Sequence, residues 1–153
     1  MKRLWYKISQ IGIDGSINHL ELRYISLMNE ITVLRSLFLF AIAGLMTSYL
    51  PQSETIIIVI VSASIIMMMP LMMNKRRMYL LARIFFSTSA FLAITVLSFL
   101  LGNGTLSFHL LLVVILVTYF IFPPSQSNVM YLLLWIIGST FFYLEIFGIY
   151  PLI

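Results

Sequence analysis

Five apolar segments, each long enough to cross a membrane, constrain this chain more than any other feature. A helix rises 1.5 Å per residue, so about 30 Å of hydrocarbon requires about 20 mostly apolar residues. Open strands would leave backbone groups unpaired in lipid, so the segments are predicted to be helices. We therefore predict an all-α, polytopic membrane protein whose helical bundle covers residues 31–153. Its spans are residues 31–50, 55–73, 79–101, 106–122 and 128–147.

The composition excludes several other classes of protein. Hydrophobic residues make up 61% of the 153 residues and charged residues only 9%, against roughly 25% charged in an average globular chain. So few charges cannot cover the surface of a water-soluble enzyme, and a disordered chain would be far less apolar. The chain has no cysteine, which excludes disulfide bonds and Cys-ligated metal centres.

The first thirty residues differ from the rest of the chain. They contain no continuous apolar stretch, which argues against a secretory signal peptide. Asp14 and Gly15 are typical of a turn, and Ser16 is a suitable helix N-cap. From Ile17 to Ile31 apolar residues recur at helical spacing. Residues 1–30 are therefore predicted to form a cytoplasmic, interfacial segment with an amphipathic helix that runs into the first span.

The basic residues predict the orientation in the membrane. All nine fall on one side of the five-span arrangement, and under the positive-inside rule that side is cytoplasmic. The N-terminus is then cytoplasmic, and the chain is expected in the inner membrane. Because the basic residues adjoin apolar segments, the net charge of +4 indicates a lipid partner rather than nucleic acid. The anchors of this topology are Lys75, Arg76 and Arg77, between the second and third spans, and Arg83, one turn into the third. Arg83 is close enough to the end of its helix for the side chain to be expected to reach interfacial water.

Two ionisable residues are the best candidates for a functional site. His109 lies about one turn from the outer end of the fourth span, and Glu145 about one turn from the outer end of the fifth. A carboxylate beside an imidazole could bind a cation, sense protons or contact a ligand. Alternatively, each side chain reaches interfacial water, or the two form one interhelical hydrogen bond. We favour this structural interpretation, since two residues do not make a metal site.

Small residues form the second notable pattern. Gly44 and Ser48 in the first span, and Ser89 and Ala93 in the third, have the small-xxx-small spacing that permits close helix approach. They are predicted to be packing residues. The sequence contains no paired nucleophile and base and no metal-ligand set, so we expect no catalytic residue, metal or cofactor.

Several short motifs occur in a fixed order over most of the chain from Tyr24 onward. They are Tyr24–Asn29, Asn74–Arg77, Leu81–Arg83, Leu101–Gly102, His109–Leu110, Phe122–Ser125, Leu144–Glu145, Gly148 and Pro151–Ile153. Together they resemble the N-terminal multi-span sensor module of bacterial receptor histidine kinases and adenylate or guanylate cyclases. In that family six spans typically precede a coiled linker and a cytoplasmic catalytic domain, so the resemblance implies a module that passes a signal to an output domain.

The leading hypothesis is a membrane-embedded sensory or signal-input domain with no catalytic activity of its own. The sequence stops after the fifth span, so we expect a truncated or fragmentary receptor module. Its expected partners are the lipid bilayer and either a second copy of the chain or a signalling protein with an effector domain. The alternative is a small transporter or channel component. Such proteins usually carry mid-membrane charges and broken helices, which the sequence does not indicate.

Overall fold

A computed structural model describes the backbone of residues 2–13, 15, 17–49, 54–101 and 104–146. Within these ranges the chain is helical and contains no strand, which confirms the predicted all-α class. A 3₁₀ turn, Pro124–Gln126, precedes the last helix. The α-helices are α1 (Lys2–Ser9), α2 (His19–Tyr49), α3 (Glu54–Ile66), α4 (Met69–Lys75), α5 (Tyr79–Leu101), α6 (Gly104–Ile121) and α7 (Ser127–Ile146).

The chain divides into two compact units, Met1–Ala82 and Arg83–Ile153. In the first unit α2 is the central helix, and α1, α3 and α4 all pack against it. In the second unit α6 packs against α7. The boundary falls one turn inside α5, so the first turn of that helix belongs to the first unit.

The interfacial helix and the first predicted span form one continuous helix, α2, of 31 residues. No Gly or Pro occurs between His19 and Ala43, so nothing in the sequence ends the helix near residue 30. Asn18 stands at its start, where the Leu20 amide donates to Asn18 Oδ1 at 3.4 Å. The predicted N-cap, Ser16, lies outside the described residues. Helix α1 was not predicted.

The second predicted span is two helices rather than one. Helix α3 ends at Ile66 and α4 begins at Met69. Pro70 has no amide hydrogen and cannot donate to Ile66, so the regular bonding pattern fails there. The Met68 amide donates to Ile65 O at 3.0 Å, the tighter spacing of a 3₁₀ turn.

The second unit contains a sharp bend. The stretches Leu111–Ile121 and Pro124–Tyr143 meet at 113°. Pro123 lies between them and Pro124 begins the second stretch, and neither proline can continue a helix from the preceding residues.

Five membrane-spanning helices are not established by the helix lengths. Among the described residues one stretch, His19–Leu45, is long and apolar enough to cross a membrane, and a second qualifies if the bent pair counts as one span. The stretches Ile60–Lys75 and Tyr79–Thr95 are apolar but shorter. The break at Pro70 accounts for part of this difference, because it divides a segment that the sequence analysis treated as continuous.

Candidate functional site

Many large apolar side chains are exposed on the outside of the helices, and several polar side chains are fully buried among the apolar residues of the core. Trp135 and Phe142 on α7 are 71% and 67% exposed. Exposed aliphatic side chains also run along α2, α3 and α6. By contrast, the polar side chains no more than 1% exposed are Asn29, Thr32, Ser36, Ser64, Asn74, Arg83, Ser87 and Thr118. The buried core also contains apolar side chains, among them Ile25, Met28 and Ile121. The informative features are the many exposed large apolar side chains and the set of fully buried polar ones.

Two buried asparagines hold the N-terminal segment against the helices of the first unit. Asn29 on α2 donates through Nδ2 to the carbonyl oxygens of Ser9 (3.2 Å) and Ile11 (2.9 Å). Asn74 near the end of α4 donates through its own Nδ2 to Asn29 Oδ1 at 2.7 Å. One amide side chain therefore joins three separate parts of the chain.

Gly12 completes this contact. It has φ +80°, and a Cβ added to it would lie 2.1 Å from the Asn74 carbonyl oxygen. The position therefore requires glycine on two grounds, its left-handed backbone and its close approach to another backbone. The Tyr79 hydroxyl donates to Gly12 O at 2.6 Å. We call Gly12, Asn29, Asn74 and Tyr79 the asparagine clasp.

A second polar group lies at the break between α3 and α4. Arg35 on α2 donates through Nη2 to Met67 O at 3.3 Å, so a cation binds a carbonyl at the end of an interrupted helix. Thr32 and Ser36 lie one turn apart on the same helix, and both are fully buried. Among the residues that the structure describes, neither hydroxyl has a hydrogen-bond partner, which costs about 1–3 kcal/mol for each group.

The second unit contains a fully buried arginine. Arg83 donates through Nη1 to Gln126 Oε1 at 2.7 Å. One turn further along α5, Ser87 accepts a hydrogen bond of 3.0 Å from the Thr118 hydroxyl on α6. The two side chains of α5 are four residues apart and share a face, so one face of α5 makes both polar contacts.

The candidate pair His109 and Glu145 stays a prediction. The backbone of His109 belongs to α6 and that of Glu145 to α7, but both side chains lie outside the described residues.

The predicted packing residues have different surroundings. Gly44 is exposed, and a Cβ added to it would meet no atom of another element within 4 Å. Ser89 is half-buried, and its hydroxyl donates to Phe86 O in its own helix at 3.0 Å. Ala93 is also half-buried, and the side chain of Ser48 lies outside the described residues. Close helix approach at these positions stays a prediction.

The predicted topology anchors fall into two groups. Lys75, Arg76 and Arg77 are exposed at the turn between α4 and α5. Arg83 is 0% exposed, although its distance from the helix end suggested a side chain that reaches water. The reason is the face of the helix on which Arg83 lies. Arg83 shares that face of α5 with Ser87, and the face points toward the polar contacts inside the second unit.

Metal binding finds no support in the part of the chain that the structure describes, where no group of three or more His, Asp or Glu side chains could hold an ion. The polar contacts are made by amides, hydroxyls and guanidinium groups instead.

Sequence reasoning missed the residues of the asparagine clasp. Asn29 and Asn74 belong to motifs that carried the family resemblance, yet no role was assigned to either. The available signal was an amide side chain within an apolar helical pattern, since such groups bond across helices in membrane proteins.

No protein family model, curated protein or solved structure matches this chain, so the resemblance to sensor modules stays a prediction.

Proposed function

We propose that this chain is a membrane-embedded signal-input domain of the inner membrane, with no catalytic activity of its own. In this proposal the five apolar segments cross the bilayer, and a change in helix packing carries the signal. The output belongs to a second copy of the chain or to a partner with an effector domain. Lipid surrounds the chain in this proposal, and nucleic acid is not a partner.

The observation that carries the proposal is an exterior with many exposed large apolar side chains, combined with polar side chains that are fully buried. Water-soluble monomers rarely expose continuous apolar patches beyond a few hundred Å². Lipid has the opposite effect, because it favours outward apolar side chains and drives polar groups to pair inside. The burial of Arg83 against Gln126 (2.7 Å) is the pattern expected of a charge inside a bundle.

The asparagine clasp supports signal input in particular. Because Asn29 binds both the N-terminal segment and α4, a movement of α2 along its axis must strain or break hydrogen bonds of 2.7–3.2 Å. Interfaces of this kind have discrete arrangements, and helix shifts of about 1–2 Å are sufficient to switch them. The clasp lies at the end of the bundle that carries Lys75–Arg77, which the charge pattern predicts to be cytoplasmic.

Topology is tested directly because the natural chain has no cysteine. A single cysteine in Arg76→Cys, treated with a membrane-impermeant maleimide, is expected to react only after the cells are permeabilised. A single cysteine in Asn103→Cys, between the third and fourth segments, should react in intact cells. Labelling of Arg76→Cys in intact cells would invert the proposed orientation, and equal labelling of both variants in a soluble fraction would exclude membrane embedding.

Signal input is tested with protons as the probe, since His109 and Glu145 are the candidate sensing residues. Spin labels in Gly15→Cys/Met78→Cys report the spacing across the asparagine clasp in reconstituted vesicles. Acidification from pH 7.5 to 5.5 is expected to shift that spacing on the order of 2 Å. The same double variant carrying Glu145→Gln should not respond. An identical shift in both proteins, or no shift in either, would contradict proton input through Glu145.

A small transporter or channel component is the second candidate, and one observation favours it. The break between α3 and α4, with Arg35 bound to Met67 O, resembles the interrupted helices from which transporters form substrate sites. Thr32 and Ser36 supply further polar groups beside it. Solute uptake by vesicles containing the purified chain, reduced in Arg35→Gln, would favour transport over signal input. Vesicles that take up no solute, but in which acidification still changes the distance between the two spin labels, would favour the sensor.

A further inference from the structure

Two basic segments that are far apart in the sequence are held together by the asparagine clasp. The first is α1, on which Arg3 and Lys7 are exposed. The second is the turn after α4, where Lys75, Arg76 and Arg77 are exposed. Neither segment contains an acidic residue, so every ionisable side chain within the two segments other than Tyr6 is a cation.

The contacts that join these segments are made by backbone groups. Ser9 and Ile11, at the end of α1 and just after it, accept hydrogen bonds from Asn29. Gly12 then lies directly against the peptide bond between Asn74 and Lys75. Lys7 is two residues before Ser9, and at 1.5 Å per residue Arg3 lies about 9 Å from Ser9 along the helix. The backbone positions that carry the cations of both segments therefore lie within about two helical turns of the clasp.

The turn after α4 has a defined backbone. Arg77 has φ 61°, and its amide donates to Asn74 O at 2.9 Å while that of Met78 donates to Met73 O at 2.9 Å. These bonds are those of a helix C-terminal cap with a left-handed residue. The three cations are thus presented by a fixed turn rather than by a long loop.

Exposed apolar side chains adjoin the same cations. Leu4 and Tyr6 on α1 are each 66% exposed, and Met72 on α4 is 62% exposed. Basic residues alternating with Trp, Tyr and Leu are typical of segments that lie at the level of lipid headgroups. A soluble polyanion would use the cations but would leave these apolar side chains in water.

We propose that Arg3, Lys7, Lys75, Arg76 and Arg77 form one composite surface that binds the phosphate headgroups of anionic phospholipids. We call it the basic surface. This inference rests on the proposed membrane embedding, and adds a specific lipid class and a specific place. Because the clasp aligns the two halves, lipid binding at the basic surface also favours the clasped arrangement of the N-terminal segment.

Lipid selectivity at the basic surface is measured with tryptophan fluorescence. The chain has two tryptophans, and Trp135→Phe leaves Trp5 on α1 as the only reporter. The full chain carrying Trp135→Phe is reconstituted in mixed vesicles in which either the phosphatidylglycerol or the phosphatidylcholine is brominated. Brominated phosphatidylglycerol is expected to quench Trp5 about threefold more effectively per mole, consistent with the attraction of anionic lipid to clustered cations.

The composite nature of the surface is tested by changing the half that does not contain Trp5. The variant Lys75→Gln/Arg76→Gln/Arg77→Asn removes three exposed charges, and asparagine tolerates the left-handed backbone of position 77. We expect the preference for phosphatidylglycerol at Trp5 to fall from about threefold to below about 1.5-fold. An unchanged preference would overturn the composite surface, since Trp5 would then respond to α1 alone.

Gly12→Ala tests the alignment without altering any charge. A Cβ at position 12 would collide with Asn74 O, whereas at Gly15, which is exposed, a Cβ would meet nothing within 4 Å. Gly12→Ala should therefore reduce the lipid preference as the triple variant does, and Gly15→Ala should leave it unchanged. Equal preferences in the two variants would overturn the role of the clasp.

The quenching experiment also separates the two proposals. If neither brominated lipid quenches Trp5, the proposed membrane embedding fails. If both lipids quench Trp5 equally, only the proposed basic surface fails.

Discussion

The two units of this chain bury polar groups in different ways. In the first unit the asparagine clasp binds mainly backbone carbonyls, those of Ser9, Ile11 and Gly12. In the second unit the polar contacts join side chains, Arg83 to Gln126 and Thr118 to Ser87. A contact to the backbone fixes where that segment lies, whereas a contact between two side chains joins helices without a bond to either backbone. The first unit therefore holds the N-terminal segment through its backbone, and the second unit joins its helices through side chains.

Asn29→Leu should have the largest effect on stability. It removes two donors and one acceptor, and leaves Ser9 O, Ile11 O and Asn74 Nδ2 without their partner. We expect a loss of about 3 kcal/mol in the free energy of unfolding, measured by titration with SDS in mixed micelles. Ser26→Ala, on the same helix, removes a half-buried hydrogen bond of 3.3 Å to Glu30 and should cost less than about 0.5 kcal/mol. Equal losses in the two variants would contradict the anchoring role.

Gln126→Leu is expected to have the next largest effect. It removes the acceptor that Arg83 Nη1 binds at 2.7 Å, and hydrogen bonds to charged groups contribute about 1.5–3 kcal/mol. We predict a loss of about 2 kcal/mol in the same titration. Gln126→Glu should retain or exceed the stability of the natural chain, because a carboxylate also accepts from the guanidinium. A less stable Gln126→Glu would show that Arg83 does not depend on this acceptor.

The comparison between units also shows how far the sequence could be interpreted. Helix ends set by local chemistry were predictable, as at Pro123 and Pro124, where the missing amide hydrogens stop any helix. The continuity of α2 through residue 30 was also predicted, because apolar residues recur at helical spacing from Ile17 into the first span and no Gly or Pro occurs between His19 and Ala43. The split at Pro70 was missed because an apolar run of spanning length was taken to be continuous.

The polar contacts were less predictable than the helices. Asn29 and Asn74 are 45 residues apart, and no periodicity relates them. Arg83 was expected to reach water because its distance from the helix end could be counted. Its direction, toward Gln126 rather than outward, depends on packing that a single sequence does not contain. The pairing of His109 with Glu145 was likewise inferred only from the similar depth of the two residues in their predicted spans, and it stays a prediction.

Tyr79→Phe sharpens the comparison within the asparagine clasp. It removes only the hydroxyl that donates to Gly12 O at 2.6 Å, so the Asn29 contacts survive. We expect a loss of about 1 kcal/mol in stability and faster amide hydrogen exchange in the N-terminal segment. Exchange that accelerates uniformly over both units would contradict a local anchoring role for Tyr79.

Thr118→Val should have the smallest effect of the four. The substitution removes the hydrogen bond of 3.0 Å that the Thr118 hydroxyl donates to the Ser87 hydroxyl. The volume of the side chain hardly changes, and Ser87 stays buried. A loss of about 0.5–1 kcal/mol is expected. Thr88→Val is the matched control, because its exposed hydroxyl bonds only to carbonyls of its own helix. A double-mutant cycle with Ser87→Ala should give a coupling energy close to the single loss, and zero coupling would exclude the pair.

The central claim is that the exposed apolar faces of these helices contact lipid. Single spin labels along α7 test it most directly, at Trp135, Ile136 and Phe142, which are exposed, and at Leu133, Ile137 and Phe141, which are buried. In reconstituted vesicles the account predicts that the first group collides readily with oxygen but not with a water-soluble nickel chelate. The second group should be protected from both reagents. Ready collision of the chelate with labels at Trp135 and Ile136 would place that face in water and contradict the account.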